Sequence, residues 1–367
     1  MKPFPVNPIL WNHNRSTVPQ GSRFDRRAIL QCGAFRRAPG VAFRGWRRTT
    51  FLAFLLGSVA ALGVAQISLL AQETGPIRIA TSPLPQGHGL AAEHPNDQGL
   101  KTHPDVIFAD DFETGPLEGR WDDTRNPGGA VLRWAGTDAF PGLGRRCLRV
   151  EAHLDRDTGG GLTQWFESAP RIFIRFYTRF VPPCDYIHHF VTLRANRGLR
   201  GADKWSGFGG AGSKPAGDER FSTAIEPWGN WGRWPAPGKW HFYSYWHAMR
   251  PAPDGKYWGN HFDVPEAPLI PPGQWICVEF MLQHNRPGQP DGEQAFWIDG
   301  RLQGHWTGIN WRTSEKLQAN ALTLEAYVTD RWARQPTNMV EFDNVVIARR
   351  YIGPATTSRT AAVPAAE

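Results

Sequence analysis

Residues 274–300 carry the clearest alternation of apolar and polar positions in the chain. The apolar positions of the first half occur at every second residue: Ile276, Val278, Phe280 and Leu282. A period of two is typical of a β-strand with one buried face. The pairs Pro287-Gly288 and Asp291-Gly292 then favour a reversal of the chain, and a second alternating run ends at Asp299-Gly300. The stretch is therefore predicted to form a β-hairpin.

The same pattern recurs at short intervals from residue 105 to residue 353. The predicted strands are 147–152, 171–181, 189–194, 221–226, 239–249, 275–283, 294–298, 321–329 and 340–348. No segment shows a sustained helical period, and Gly and Pro lie in every gap between strands. This pattern predicts an all-β domain, a sandwich or jelly roll built from two antiparallel sheets.

The alternation also assigns side chains to the two faces of each strand. The apolar face should hold Ile172, Ile174, Phe176 and Phe180, then Trp240, Phe242 and Trp246, then Leu322, Leu324 and Val328. The opposite face should hold Arg175, Tyr177 and Arg179, then His241, Tyr243, Tyr245 and His247, then Glu279, Gln283, Thr323, Glu325 and Tyr327. Solvated faces usually carry Lys, Glu, Ser and Thr, so these residues favour a binding groove. The alternative is an antiparallel sheet that leaves one side in water.

The positive charge of the chain is concentrated at its N-terminus. Residues 1–48 contain ten Lys/Arg and one acid, Asp25, which is a net charge of +9, whereas the whole chain carries +7. Residues 49–367 therefore carry −2, and the predicted domain is nearly neutral. Overall charge thus gives no support for nucleic acid as a partner.

An apolar run after this basic extension predicts export. Residues 49–72 follow Arg47-Arg48 and end in small residues, which is typical of a secretory signal peptide, although the run is also long enough for a membrane anchor. We expect residues 73–104 to be a flexible linker, 105–353 the folded domain and 354–367 a disordered tail. The expected location is secreted, periplasmic or at the cell surface, with membrane contact only through such an anchor.

The cysteines give a weak signal. Cys32 precedes the apolar run, which leaves Cys147, Cys184 and Cys277 in the predicted domain. Cys277 lies within a predicted strand and is expected to pack as a small apolar residue. Cys147 with Cys184 is the one pairing that an oxidising compartment favours.

Two tyrosines on one predicted strand are the strongest catalytic candidates. Tyr243 and Tyr245 alternate with His241 and His247 on the polar face. Near a cation, a Tyr or His can remove a carbon-bound proton and protonate a leaving oxygen, which β-elimination at a uronic acid requires. The Gly-rich connections at 199–220 and 227–240 border this strand, and their aromatic and Arg side chains suit sugar rings and acidic groups. Cross-strand Tyr and His can equally serve only to hydrogen-bond one another.

Residues 190–330 resemble polysaccharide lyases of the alginate and glucuronan lyase type. The matching features are the strand that begins Phe221-Ser222, the Tyr243-x-Tyr245 strand and the hairpin ending Trp297-x-Asp299-Gly300. The resemblance implies a concanavalin A-like jelly roll, an acidic polysaccharide as partner and no required cofactor. It also implies catalytic roles for Ser222, Tyr243 and Tyr245, and for Lys204 as the counterpart of a loop lysine.

The chain departs from that family at one position. The family has an arginine two residues after the Phe-Ser serine, and this chain has Ala224. The uronate carboxylate must then be neutralised by another arginine, and the candidates are Arg175, Arg179, Arg194 and Arg233. Trp228, at the end of the same strand, is a further candidate for substrate binding.

Two other functions are also compatible with the sequence. A glycoside hydrolase needs two carboxylates on one face, and Glu279 with Glu325 is the pair that the strands offer, although no Glu-x-Asp-x-x-Glu motif is present. A non-catalytic carbohydrate-binding module tolerates both the missing arginine and the many aromatic residues. A structural Ca²⁺ is expected near Asp111 and Asp343 if the first and last strands lie together, whereas the alternative is solvated turn residues.

Overall fold

The computed structural model describes residues 77–80, 83–136, 143–156 and 158–356. The chain divides into the units Met1–Ile67 and Ser68–Glu367, and every described residue belongs to the second. The predicted basic extension, the apolar run and residues 357–367 of the tail lie outside the described residues. No helix in the described ranges is long and apolar enough to cross a membrane.

The described part of the chain is built from β-strands and five short 3₁₀ helices. The strands are β1 Arg78–Ile79, β2 Val106–Asp110, β3 Asp123–Arg125, β4 Leu132–Gly136, β5 Arg146–His153, β6 Gly159–Trp165, β7 Arg171–Val181, β8 His189–Asn196, β9 Phe221–Trp228, β10 Lys239–Tyr245, β11 Asn260–Asp263, β12 Ile276–Gln283, β13 Gly292–Ile298, β14 Arg301–Ile309, β15 Gln318–Tyr327 and β16 Thr337–Ala348. The 3₁₀ helices are Leu90–Glu93, Pro95–Asp97, Leu100–Thr102, Pro127–Gly129 and Gly201–Trp205.

These strands form two antiparallel sheets. In the described residues one sheet has nine strands in the order β1-β14-β13-β12-β7-β16-β5-β4, with β2 paired to β16 at its side. The other has seven strands in the order β11-β10-β9-β8-β15-β6-β3. Neighbours in space are mostly distant in sequence, as jelly rolls require. The predicted all-β sandwich of two antiparallel sheets is confirmed.

The core lies between the two sheets. All the residues that alternation assigned to the apolar face of 171–181, 239–249, 275–283 and 321–329 are buried in one cluster. Phe242 on β10 packs edge-on against Phe280 and Phe296 of the opposite sheet, with ring centroids 6.1 and 5.5 Å apart. Alternating aromatic side chains from both sheets thus fill the space between them.

The predicted hairpin is present as β12, a turn and β13. Gln283 pairs with Glu293 across the turn, and Asn285 lies buried at its base, donating to Asn310 Oδ1 and to the Arg312 carbonyl at 2.8 and 2.9 Å. These bonds fix the turn against the segment that follows β14. Its motif is therefore a packing feature of the nine-stranded sheet.

Residues 83–104 do not form the predicted flexible linker. Leu90, Ala91 and Leu100 are buried against Trp297 and Tyr351, on the outer face of the nine-stranded sheet. Backbone bonds from Leu90 to the Tyr351 carbonyl and from Ala91 to the Ile352 carbonyl join this segment to the C-terminal one. A composition rich in Pro, Gly and His concealed a packed segment because its few apolar residues follow no period.

The predicted Cys147–Cys184 disulfide is absent. Cys147, Cys184 and Cys277, the cysteines in the described ranges, are all free. Cys147 and Cys277 are buried, and Cys277 packs with Leu143 and Tyr177 as a small apolar side chain, as expected.

Candidate active site

The outer face of the seven-stranded sheet brings together most of the predicted catalytic residues. His241, Tyr243 and Tyr245 alternate on β10 with the buried Trp240, Phe242 and Ser244, so their side chains leave the sheet on the side away from the core. The hydroxyl groups of Tyr243 and Tyr245 lie 3.3 Å apart and hydrogen-bond to each other. We call this surface the tyrosine face.

Strand register aligns three predicted residues in one row across this face. Tyr245 on β10 pairs with Ser222 on β9, and Ser222 pairs with Arg194 on β8. Neighbouring strands are about 4.8 Å apart, so Tyr245 and Arg194 start about 10 Å apart with Ser222 between them. That span matches a sugar ring with its carboxylate at one end.

Ala224 lies in the adjacent row, directly beside Tyr243. The family resemblance would place an arginine at this position, next to β10. Ala224 carries no charge there. A guanidinium on the same face of the sheet belongs to Arg194, on β8. It donates from Nε to Thr323 Oγ1 at 3.2 Å and from Nη2 to Glu325 at 3.4 Å, and it lies 4.8 Å from the Phe208 ring.

The two phenols share a backbone donor. Burial raises the pKa of both Tyr243 and Tyr245 and outweighs the amide of Gly259, which lowers both. The contact between the phenols raises the pKa of Tyr243 further and lowers that of Tyr245. A side chain at Gly259 would meet the Tyr243 ring at 2.6 Å, so only glycine allows this approach. Both tyrosines are therefore protonated at neutral pH in the free protein.

Histidines and a glutamate that the sequence did not single out extend the site. Glu226 on β9 pairs with His241, is only 5% exposed, and lies 3.8 Å from both His241 Nε2 and His189 Nδ1. His261 on β11 pairs with Tyr243, and its Nδ1 is 3.1 Å from Nδ1 of His241. Trp228 stacks on His241 with ring centroids 5.0 Å apart.

These groups divide into neutral and charged ones. Burial lowers the pKa of His241 well below its usual value, and desolvation also lowers that of His261. Desolvation lowers the pKa of His189, but the Glu226 carboxylate outweighs it and the pKa lies above the usual value. The imidazoles beside Tyr243 are thus neutral proton acceptors at pH 7, whereas the Glu226 carboxylate favours the protonated form of His189.

The alternation of Ser222, Ala224 and Glu226 could have revealed Glu226, because it occupies the same side of β9. His189 begins a predicted strand whose faces the sequence left unassigned. His261 gave no signal, since four residues of β11 are too few for a period. Gly259 gave none either, because only the fold brings it to the phenols.

The remaining predicted residues of this sheet lie at its ends. Glu325 and Tyr327 extend from β15, and Tyr327 stacks on His189 with centroids 5.7 Å apart. Lys204 lies 4.2 Å from the Trp165 ring on β6, three strands beyond β9, so it does not lie beside Tyr245. β10 ends at Tyr245, and His247 instead packs against Gly217. Arg233 is exposed on the loop after β9.

Five predicted substrate-binding residues lie on the other sheet, so the expectation of one shared groove is wrong. Arg175, Tyr177 and Arg179 belong to β7, and Glu279 and Gln283 belong to β12. Both strands are in the nine-stranded sheet, and their polar side chains project from its opposite surface. Period-two alternation reports the face of a strand but not the sheet to which the strand belongs.

Their contacts are structural. Arg175 is fully buried and forms an ion pair with Asp97. Glu279 accepts bonds from the backbone amides of Ile352 and Gly353, both at 2.8 Å, and Tyr177 accepts one from Ala355. Arg179 pairs with the buried Glu341, and Gln283 accepts a bond from Arg171. We call this covered surface the strapped face, because residues 83–104 and 351–356 lie across it.

The terminal strands meet as expected near Asp111 and Asp343. β2 pairs with β16, with Asp110 opposite Val345. Among the described residues, however, no group of three or more His, Cys, Asp or Glu side chains is arranged to hold a metal ion. Asp111 accepts a bond from the Glu113 amide, and Asp343 accepts one from Asn344. The Ca²⁺ site stays a prediction.

Comparisons with known proteins identify similar folds. No family model matches the chain, and no curated protein matches it. Solved structures do match. A marine alginate lyase from Aplysia kurodai has a TM-score of 0.49 at 12% identity over 66% of this chain and 98% of that one. An alginate lyase from Chlorella virus has 0.44 at 15% over 62% and 99%.

A third match is the endo-β-1,4-glucuronan lyase of the fungus Trichoderma reesei. Its TM-score is 0.42 at 16% identity, over 66% of this chain and 95% of that one. The matched structures thus include alginate lyases and a glucuronan lyase, the types that the Tyr-x-Tyr strand and the hairpin resemble in sequence.

Proposed function

We propose that this protein is exported and cleaves an acidic, uronate-containing polysaccharide by β-elimination on its tyrosine face. One observation carries the proposal. Tyr243 and Tyr245 share a hydrogen bond of 3.3 Å, in the row that continues through Ser222 to Arg194. Paired acid–base groups and a cation at about one sugar's distance are what the elimination needs.

The cation makes the substrate proton removable. The proton on the carbon next to a carboxylate is weakly acidic, and removing it builds negative charge on that carboxylate. Arg194 neutralises this charge with two-pronged hydrogen bonds, replacing those that it now donates to Thr323 and Glu325. Ser222, between Arg194 and Tyr245, donates its hydroxyl to the sugar.

The two tyrosines divide the proton transfers. One phenolate takes the proton from carbon, the electron pair forms the carbon–carbon double bond, and the glycosidic oxygen leaves with a proton from the other phenol. Neutral His261 and His241 accept the proton that creates the phenolate, and the Gly259 amide stabilises it. The imidazolium then gives its proton back through the hydrogen bond between the phenols to the phenolate that remains, and both phenols and the neutral histidine are restored.

The double bond that β-elimination forms absorbs ultraviolet light, which gives a direct test of the proposed reaction. The protein is incubated with alginate, glucuronan and related polymers, and the ultraviolet absorbance of the unsaturated uronate is recorded. New absorbance on an acidic polymer is the expected result. Reducing ends without a double bond would instead indicate hydrolysis. Retention on a polymer gel without any product would indicate a binding module.

The two carboxylates predicted for a glycoside hydrolase, Glu279 and Glu325, do not lie on the same face of the protein. Glu325 lies on the tyrosine face, whereas Glu279 lies on the strapped face and binds the backbone of Ile352 and Gly353. Two carboxylates must flank one glycosidic bond within about 10 Å on the same side, which residues on the outer surfaces of two stacked sheets cannot do.

A further inference from the structure

Two tryptophans from different loops meet beyond the end of the tyrosine face. Trp231, on the loop between β9 and β10, is 61% exposed, which makes it one of the most exposed large apolar side chains in the described ranges. Its ring lies 5.2 Å from that of Trp332, in the turn after β15, at an interplanar angle of 60°. We call this pair the tryptophan platform.

The base of the Trp231 loop is held firmly. Tyr186 donates its hydroxyl to the Trp234 carbonyl at 2.5 Å, and Trp234 packs edge-on against Trp228 with centroids 5.5 Å apart. The amide of Trp234 donates to the Gly229 carbonyl at 3.1 Å and closes the loop. An exposed aromatic ring on an anchored loop loses little conformational entropy on binding.

The tip of this loop adopts an unfavourable backbone. Asn230 and Trp231 have φ of 46° and 60°, in the left-handed region that non-glycine residues rarely occupy. Such residues are strained and persist when the surroundings enforce the conformation. Burial of Trp231 does not compensate for this, because its ring points into solvent. Strain that displays an exposed ring favours a binding role.

Two arginines lie on the loops that carry the platform. The guanidinium of Arg331 lies 4.9 Å from the Trp332 ring, and Arg233 is exposed on the Trp231 loop. The charge of Arg331 also lowers the pKa of His188 beyond the effect of burial. His188 in turn contacts Tyr327 of the tyrosine face, with ring centroids 5.9 Å apart. The platform therefore adjoins the tyrosine face and has arginine side chains beside it.

We propose that the tryptophan platform is a second carbohydrate-binding site, which stacks on the sugar rings of an acidic polysaccharide and pairs its carboxylates with Arg331 and Arg233. It lies beyond Trp228, six residues along β9 from Ser222, and is therefore about 20 Å or more from the row containing Tyr245. A long polymer could reach both sites. The ligand class rests on the proposed function, but binding does not depend on turnover.

The test measures binding without cleavage. In a Tyr245→Phe background, retention of the full chain is measured by affinity electrophoresis in gels containing alginate, glucuronan or the neutral polymer laminarin. Adding Trp231→Ala or Trp332→Ala should weaken binding to the acidic polymers about five- to tenfold. Arg331→Gln should weaken it less, and the difference should shrink in high salt. Laminarin should retain the protein least.

The matched control is Trp134→Ala. Trp134 is 39% exposed and lies 4.3 Å from Arg146, but it belongs to β4 of the nine-stranded sheet. It should leave retention unchanged. Equal retention of Trp231→Ala and its parent would overturn the platform, as would binding to acidic phospholipid vesicles but to no polymer. An inactive protein whose retention still depends on Trp231 would refute only the elimination chemistry.

Discussion

The two sheets of this protein present similar polar residues on their outer faces but use them differently. On the strapped face, Arg175 and Glu279 are buried beneath residues 83–104 and 351–356 and bind those segments. On the tyrosine face, Arg194 and Tyr245 are partly exposed. They hydrogen-bond to side chains of the same face, Arg194 to Glu325 and Tyr245 to Tyr243. What covers a polar face therefore decides whether it stabilises the fold or is available to a substrate.

The largest expected effect on stability belongs to the strapped face. Arg175→Ala leaves the Asp97 carboxylate without its buried partner, so the free energy of unfolding should fall by about 3–5 kcal/mol. Urea unfolding measures this loss. Arg194→Ala is the matched control and should cost about 1 kcal/mol or less, because its ion pair with Glu325 is partly exposed. Equal losses would erase the distinction between the faces.

The next effect concerns turnover. Arg194→Ala should slow β-elimination about 100- to 1000-fold, because the uronate carboxylate loses its neutralising cation in the transition state. Arg194→Lys should restore part of the rate, since it keeps the charge but not the two-pronged hydrogen bonds. The rate of absorbance increase is the measurement. Full activity in Arg194→Ala would assign the neutralisation to another group.

The third expected effect is a pH dependence of stability. Burial raises the pKa of Asp343 to about 8, with smaller contributions from Glu113 and Asp111. From about pH 4 to 8 the folded protein therefore holds a proton that the unfolded chain has released. Stability should fall as pH rises through this range, by at most about 1.4 kcal/mol per pH unit for this group.

Unfolding at pH 5 and at pH 8 tests this dependence. Asp343→Asn should show a smaller loss of stability between the two values than the native protein does. Part of the loss should remain, because burial also raises the pKa of Glu279, to about 7. Glu118→Gln, at an exposed position, should retain the native dependence. An unchanged loss in Asp343→Asn would contradict the assignment.

Long strands were predictable because alternation reports burial directly. The predicted bounds 171–181 agree with β7, and those of the other long strands differ by a few residues. β6 was missed because it begins with three glycines, which carry no apolar or polar signal. Gly161 is required there, since a side chain would meet the Leu324 carbonyl oxygen at 2.4 Å. β14 was missed because Gly304 and Gly308 interrupt its pattern.

The site was predictable only in part, for a related reason. Tyr243 and Tyr245 could be assigned to one face of one strand from local sequence. The sheet to which Arg175 or Glu279 belongs depends on pairing between strands about 100 residues apart, such as Glu279 with Arg175 itself. The row from Tyr245 to Arg194 likewise results from register, which sequence periodicity does not contain.

The most direct test of the tyrosine face compares the native protein with Tyr245→Phe on the acidic polymer that gives the strongest ultraviolet signal. Removing one hydroxyl should lower turnover at least about 100-fold, as expected for an acid–base group, while the melting temperature stays nearly unchanged. The Tyr245 ring would keep its packing in the variant. A Tyr245→Phe protein that forms unsaturated product at the native rate would remove this face from the chemistry.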